Sequence, residues 1–296
     1  MRYFDLHCDT PFELYHRKLP FGNALTHVNA QNTSSFSEYA QVFAVWTNPK
    51  IAHDEAYTNF FSIADHLARQ EFLPQRRYLA VEGLSLLDDK IERLNALYDY
   101  GVRLFTLVWK GECCIGGAHD AAMGLTDFGK NVVSRCLELD ALVDISHASD
   151  KMTAQVLELA QVAGKPIIAT HSNSRTICNH SRNLPDDLAR GIFANGGVIG
   201  ISLAPQHLTH NSACTAKDVV RHIKHYCELG GEKQLCLGCD FDGIDTTPQD
   251  IRHAGELYNL ANELIRSDYS ETFVNDLFFD NASQFFARFF KNNNPF

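Results

Sequence analysis

The chain has 296 residues, 45% of them hydrophobic and 21% charged, and its 36 Asp+Glu outnumber 26 Lys+Arg to give a formal net charge of −10. A composition this near the globular average excludes a collagenous, low-complexity or largely disordered protein. The acidic balance argues against a nucleic-acid partner, because a phosphate backbone is held by a positive surface. No apolar run approaches the roughly 18 residues of a membrane span, so no membrane partner is expected. The start, Met1-Arg2-Tyr3-Phe4-Asp5, is unlike a signal peptide, and the nine cysteines are an odd number in a chain too large to need disulfide staples. A cytoplasmic setting with buried, unpaired thiols is the expectation. Fourteen histidines stand out, since imidazole is the commonest metal ligand.

In chain order, short apolar and β-branched runs fall at residues 3–6, 42–46, 78–81, 104–108, 142–145, 166–170, 198–203 and 235–239. Stretches with apolar residues at helical spacing separate most of them, at 55–71, 84–100, 127–139, 149–163, 186–194, 216–229 and 254–266. Ser149 before one helix and Gly164 after it are start and stop signals. Eight strands alternating with helices predict a (β/α)8 TIM barrel of the α/β class, a single domain over 1–296. A surplus Phe-rich helix at 271–290 is expected across the barrel's outside or at a partner, and on that ground a homodimer is expected. The competing open sheet needs a Gly-rich phosphate turn after the first strand, where this chain has Leu6-His7-Cys8-Asp9-Thr10. Apart from the short Asn-rich tail after Lys291, nothing in the chain is of low complexity.

A barrel of this kind carries its chemistry at the C-terminal ends of the strands. The residues just after the apolar runs include His7 and Asp9, Glu82, Trp109, His147, His171 and Asp240, so five of the eight ends carry His, Asp or Glu. His7 and Asp9 are two apart and point to one face of an extended segment. Glu82, ending a buried strand, needs either a metal or a neighbouring Arg, because a lone buried carboxylate costs several kcal/mol. His147 and His171 end consecutive strands and can converge. Asp242-Gly243 reads as an ordinary turn, leaving Asp240 as the carboxylate for chemistry. One zinc takes about three protein ligands, and this set exceeds that. With Glu82 as a bridge, two ions would share a water or hydroxide and polarise a carbonyl, and Asp240 would move the proton. The residues alone thus point to a dinuclear metallohydrolase.

The pattern resembles the renal or membrane dipeptidases, peptidase family M19, in Phe4-Asp5-Leu6-His7-Cys8-Asp9-Thr10-Pro11, Glu82-Gly83, Val143-Asp144-Ile145-Ser146-His147, His171-Ser172-Asn173-Ser174, Ser181-Arg182-Asn183-Leu184-Pro185-Asp186 and Gly238-Cys239-Asp240-Phe241-Asp242-Gly243. The resemblance implies two Zn2+ per chain, one on His7 and Asp9, the other on His147 and His171, with Glu82 bridging. It implies that Arg182 binds the carboxylate of a dipeptide substrate, that Asp240 receives its amino group, and that a D-residue on the C-terminal side is often tolerated. One departure concerns the strand at 104–108. Better-known members place a substrate-contacting histidine after it, whereas this chain has Trp109-Lys110-Gly111-Glu112, with His119 further along the same loop. Two alternatives stay open: an amidase or deacylase of N-acyl amino acids on the same barrel, and a catalytically silent barrel acting as a binding protein. The remaining histidines, among them His27, His53, His66, His207, His210, His222 and His225, read as solvated or packed.

Overall fold

The computed structural model describes residues 1–23 and 25–290; the Asn-rich tail lies outside the described residues. All eight expected strands form: β1 (Arg2–Cys8), β2 (Glu38–Trp46), β3 (Arg76–Glu82), β4 (Val102–Thr106), β5 (Leu142–Asp144), β6 (Ile168–Ala169), β7 (Val198–Ile201) and β8 (Leu235–Leu237). They pair in chain order, all parallel, and β8 returns to β1 at the Asp5–Leu237 register to close a barrel. Period-2 alternation divides their side chains between two layers. Phe4, Leu6, Val42, Tyr78, Ala80, Leu104, Leu142 and Ile168 fill the barrel interior. The intervening Tyr3, Phe43, Leu79, Val81, Phe105 and Val143 pack in a larger cluster with helix residues such as Ile63, Leu67 and Leu94.

The helices depart from expectation in places. A helix at Thr10–Arg17 lies between β1 and β2, too short for a strong apolar period to betray it. The expected helix at 84–100 is broken by Asp88 and Asp89, both left-handed at φ of 50° and 55°, into a 3-10 turn at Leu84–Leu87 and a helix at Ile91–Tyr100. Ser149 caps its helix as expected, accepting from the Met152 N–H. All nine cysteines are free, and no helix among the described residues is long and apolar enough to cross a membrane.

The largest correction concerns the C-terminal stretch. It is not one regular helix but Glu271–Asn275, a π segment at Asp276–Asp280 and a final helix at Asn281–Phe290. Nor does it lie across the outside: Phe279, Phe285, Phe286 and Phe290 join the interior cluster and plug the N-terminal end of the barrel. The Phe286 ring packs, tilted, 5.0 Å from that of Phe4 and 4.7 Å from that of Tyr78. Arg2 bonds Asp280 at 2.6 Å, Arg76 bonds the Ser283 hydroxyl at 2.6 Å, and the Asn281 amide donates to the Leu235 carbonyl at 2.8 Å. The apolar face that suggested a partner is therefore spent inside the chain. Phe286→Ala, opening a cavity at a fully buried ring, is expected to cost about 3–5 kcal/mol in denaturant unfolding; a loss under about 1 kcal/mol would mean the plug is not part of the core.

Candidate metal centre

Strand alternation delivers the first ligand. Tyr78 and Ala80 of β3 face the interior, so Glu82 does too, at the open end. β1 needs a correction to its period. Phe4 and Leu6 point inward, and strict alternation would turn His7 out, but the register slips by one residue between Asp5 and Cys8. That bulge sends Cys8 to the outer layer and aims His7 into the mouth. His147 and Asp240 follow β5 and β8 in left-handed conformations, with φ of 70° and 63°. Such backbone costs about 1–3 kcal/mol per residue and persists only where the surroundings impose it. Gly243 is required beside them: a Cβ there would lie 2.1 Å from Asp9 Oδ2 and 2.7 Å from Asp240 Oδ1.

The expected residues converge. Glu82 Oε1 lies 3.6 Å from His7 Nε2, 3.1 Å from His147 Nε2 and 3.4 Å from His171 Nε2. His147 Nε2 and His171 Nε2 are 3.0 Å apart, and His7 Nε2 is 3.3 Å from Asp9 Oδ2 and 3.9 Å from Asp240 Oδ1. Tetrahedral zinc with bonds of about 2.05 Å sets its ligand atoms about 3.3 Å apart, close to most of these spacings. Glu82 Oε1 is buried among three imidazoles yet takes part in no hydrogen bond, as do Asp9 Oδ1 and His7 Nδ1. Among the described residues, two groups could hold an ion, His7 with Glu82 and His171, and His7 with Asp9 and Asp240. His7 thus stands between the groups, and Asp240 sits 3.9 Å from its Nε2.

Charge explains why a cation fits. Burial, and then the Asp9 carboxylate, push Glu82 well above the usual carboxylate range. Burial pushes Asp240 up to about 7 against the pull of His7. Burial alone would lower His7, but Glu82, Asp9 and Asp240 raise it to about 10. Burial holds His147 and His171 well below the ordinary imidazole value, assisted by the Arg182 charge and by His7 respectively. The carboxylates resist ionising together and the nearest imidazole takes up a proton. The cluster is short of positive charge, which a divalent ion supplies.

Two buried aspartates that sequence reasoning assigned no role hold the ligands in place. Asp144, on β5 inside the barrel, accepts from the Thr106 and Thr170 hydroxyls at 2.6 Å each and from the Ser146 and Thr170 N–H groups. The Thr170 hydroxyl directs its one hydrogen to Asp144, so at 2.8 Å its oxygen accepts from His171 Nδ1–H. That fixes the tautomer and leaves the His171 Nε2 lone pair facing Glu82. Across the barrel, Asp5 accepts from Tyr3 OH at 2.7 Å, from the Cys239 N–H at 2.8 Å and from the His7 N–H. It ties the strand of His7 to the loop of Asp240. The signal for both was a charge inside an apolar strand run.

Arg182, which without the resemblance would read as a solvated loop residue, is buried beside the ligands. Its Nη1 donates to Ser172 Oγ at 3.1 Å and its Nη2 to the His171 carbonyl at 2.9 Å, while Nε is unpartnered. Trp109 is half-buried at the mouth, edge-on to Trp46 at 5.1 Å and 6.3 Å from the His147 ring. Asp242 is the expected turn residue, accepting from Thr10 Oγ1 and the His27 N–H at 2.6 Å each. His222 is packed, accepting the Ser174 N–H at 3.0 Å.

The family model described as membrane dipeptidase (peptidase family M19) matches residues 62–294. Dipeptidase 3 of Homo sapiens is 30% identical over 203 residues, 65% of this chain and 41% of that protein. An uncharacterized protein in the pqqA 5' region of Klebsiella pneumoniae is 31% identical over 213 residues, 68% of this chain and 77% of that one. The chain spans about two fifths of the length of the mammalian dipeptidase 3 relatives it matches. A crystal structure of the dipeptidase AC, a metallopeptidase, superposes with a TM-score of 0.87 at 23% identity, covering 97% of this chain and 98% of that one. A metallopeptidase from Rhodobacter sphaeroides, liganded with a phosphinate mimic of L-Ala-D-Ala, gives 0.87 at 22% identity over 97% and 99%.

Asp144→Ala removes the acceptor that orients Thr170 and thereby His171. Zinc affinity, read by chelator competition, is expected to fall about 10–100-fold while the circular dichroism spectrum is kept. Unchanged affinity in a folded variant would contradict the positioning role.

Proposed function

The chain belongs to the membrane dipeptidase family, peptidase family M19, and from that membership we propose that it is a zinc-dependent dipeptidase with two ions at the barrel mouth. The observation that carries the reading is Glu82 Oε1, set 3.1–3.6 Å from three imidazole Nε2 atoms and hydrogen-bonded to none. His147, His171 and Glu82 would hold one ion, and His7, Asp9 and Glu82 the other. When bound, the ions lower the pKa of a shared water and polarise the scissile carbonyl.

The chain's own residues do the rest. Arg182, a planar guanidinium already oriented by Ser172 and the His171 carbonyl, pairs with the substrate's terminal carboxylate. Asp240 receives the free ammonium and passes a proton to the leaving amine, a role supported by a carboxyl pushed up to about 7. Trp109 walls the mouth with Trp46 and can give one indole hydrogen bond. A D-residue on the C-terminal side is part of the proposal, supported by the L-Ala-D-Ala mimic in the Rhodobacter sphaeroides fold neighbour.

Glu82→Ala is expected to lose most of both ions by metal analysis; full activity in that variant would refute the two-metal assignment. Asp240→Ala is expected to keep at least one ion and lose about 10²–10⁴ in kcat on L-Ala-L-Ala or L-Ala-D-Ala. A free amino group should be needed, so N-acetyl-Ala should be inert; its hydrolysis at a rate matching Ala-Ala would favour the deacylase alternative.

A further inference from the structure

Three histidines outside the metal cluster form a run at the rim. The His119 ring lies 6.3 Å from His147 and 6.0 Å from His180, and His180 lies 4.7 Å from His207. His119 and His180 come from the loops after β4 and β6, His207 from the short helix Pro205–Leu208 after β7, and all three are half-buried. His180 Nδ1 accepts the Arg182 N–H at 3.1 Å, so the neutral ring carries its proton on Nε2 and is a donor there. His119 Nδ1 is bonded to Ser181 Oγ at 2.9 Å, leaving its Nε2 free of protein partners. The His207 ring makes no hydrogen bond among the described residues.

The charges around this run have the opposite sign to those of the floor. Arg182 acts on all three rings, with Lys110 also near His119 and Arg175 near His180. Carboxylates temper this field at its edge: Asp120 accepts the Gly111 N–H at 2.7 Å, and Asp150 pairs with Arg175 at 2.5 Å, which leaves Arg182 and Lys110 as the main positive charges. The run thus lies in a positive field, and His180 Nε2 offers an N–H donor in it. The floor, with Asp9, Glu82 and Asp240, suits an ammonium and metal ions; the rim suits an anion.

We infer that His119, His180 and His207 select dipeptides whose C-terminal residue bears a second carboxylate, Asp or Glu. This rests on the dipeptidase reading. With Arg182 holding the α-carboxylate, the side chain on the same Cα starts next to these rings. A side-chain carboxylate meets an N–H donor and positive charge there, whereas the isosteric amide brings no charge and only one acceptor oxygen.

The test compares kcat/KM of the zinc-loaded full chain for L-Ala-L-Glu against L-Ala-L-Gln and for L-Ala-D-Glu against L-Ala-D-Gln. The acid is expected to lead by about tenfold in at least one configuration, a step worth about 1.4 kcal/mol. In His180→Phe/His207→Phe that ratio is expected to fall to near one. A wild-type ratio at or below one in both configurations, with the amides hydrolysed, would overturn the inference and leave the dipeptidase reading standing. If no dipeptide is hydrolysed, that reading fails instead, and calorimetry with phosphinate analogues of Ala-Glu and Ala-Gln still decides: equal affinities refute the rim's selectivity, and tighter binding of the acidic analogue supports it.

Discussion

Three carboxylates, Asp9 and Glu82 buried and Asp240 largely so, lie within reach of one imidazole, His7, at the mouth of a closed barrel. Water screens them poorly there, and a buried ion without a partner costs several kcal/mol. The surrounding features follow from that constraint. His147 and His171 are kept neutral and present lone pairs; the backbone at His147 and Asp240 is held left-handed; and glycine stands at 243, where a side chain would strike two of the carboxylates. A folded chain tolerates this arrangement when divalent cations share the space.

The barrel's contribution is to make the cluster rigid from below. Interior positions change in character along its axis: aromatic rings of the C-terminal plug at one end, small and branched apolar residues through the middle, then the Thr106, Asp144 and Thr170 layer, then the ligands. Asp144 and Asp5 each hold two ligand-bearing segments, on opposite sides of the mouth. Each acts through backbone N–H groups, so the geometry does not depend on the metal alone. Arg182 joins the same framework through Ser172 and the His171 carbonyl, which places its guanidinium and the His171 imidazole on a shared support.

The strands, their closure into a barrel and the ligands at their ends were legible in the sequence because a buried strand has a period of two and a short apolar run. The bulge at Asp5–Cys8 was not, since it leaves the composition unchanged and alters only which way His7 faces. The break at Asp88–Asp89 hid within a good helical period. The Phe-rich stretch showed its apolar face but not its target, because a ring's need for burial does not say whether a partner or the chain's own barrel supplies it. His180, on a loop, and His207, on a single helical turn and read as solvated or packed, lie where no periodicity assigns a direction, and Arg182 became meaningful only through the family resemblance.

The claim on which the account rests is that these buried carboxylates and imidazoles form one site for two ions. Native mass spectrometry of the protein titrated with zinc, with the unfolding temperature followed in parallel, measures this directly. Two ions per chain and a rising unfolding temperature up to that stoichiometry are predicted; fewer than one ion per chain with an unchanged unfolding temperature would contradict the account.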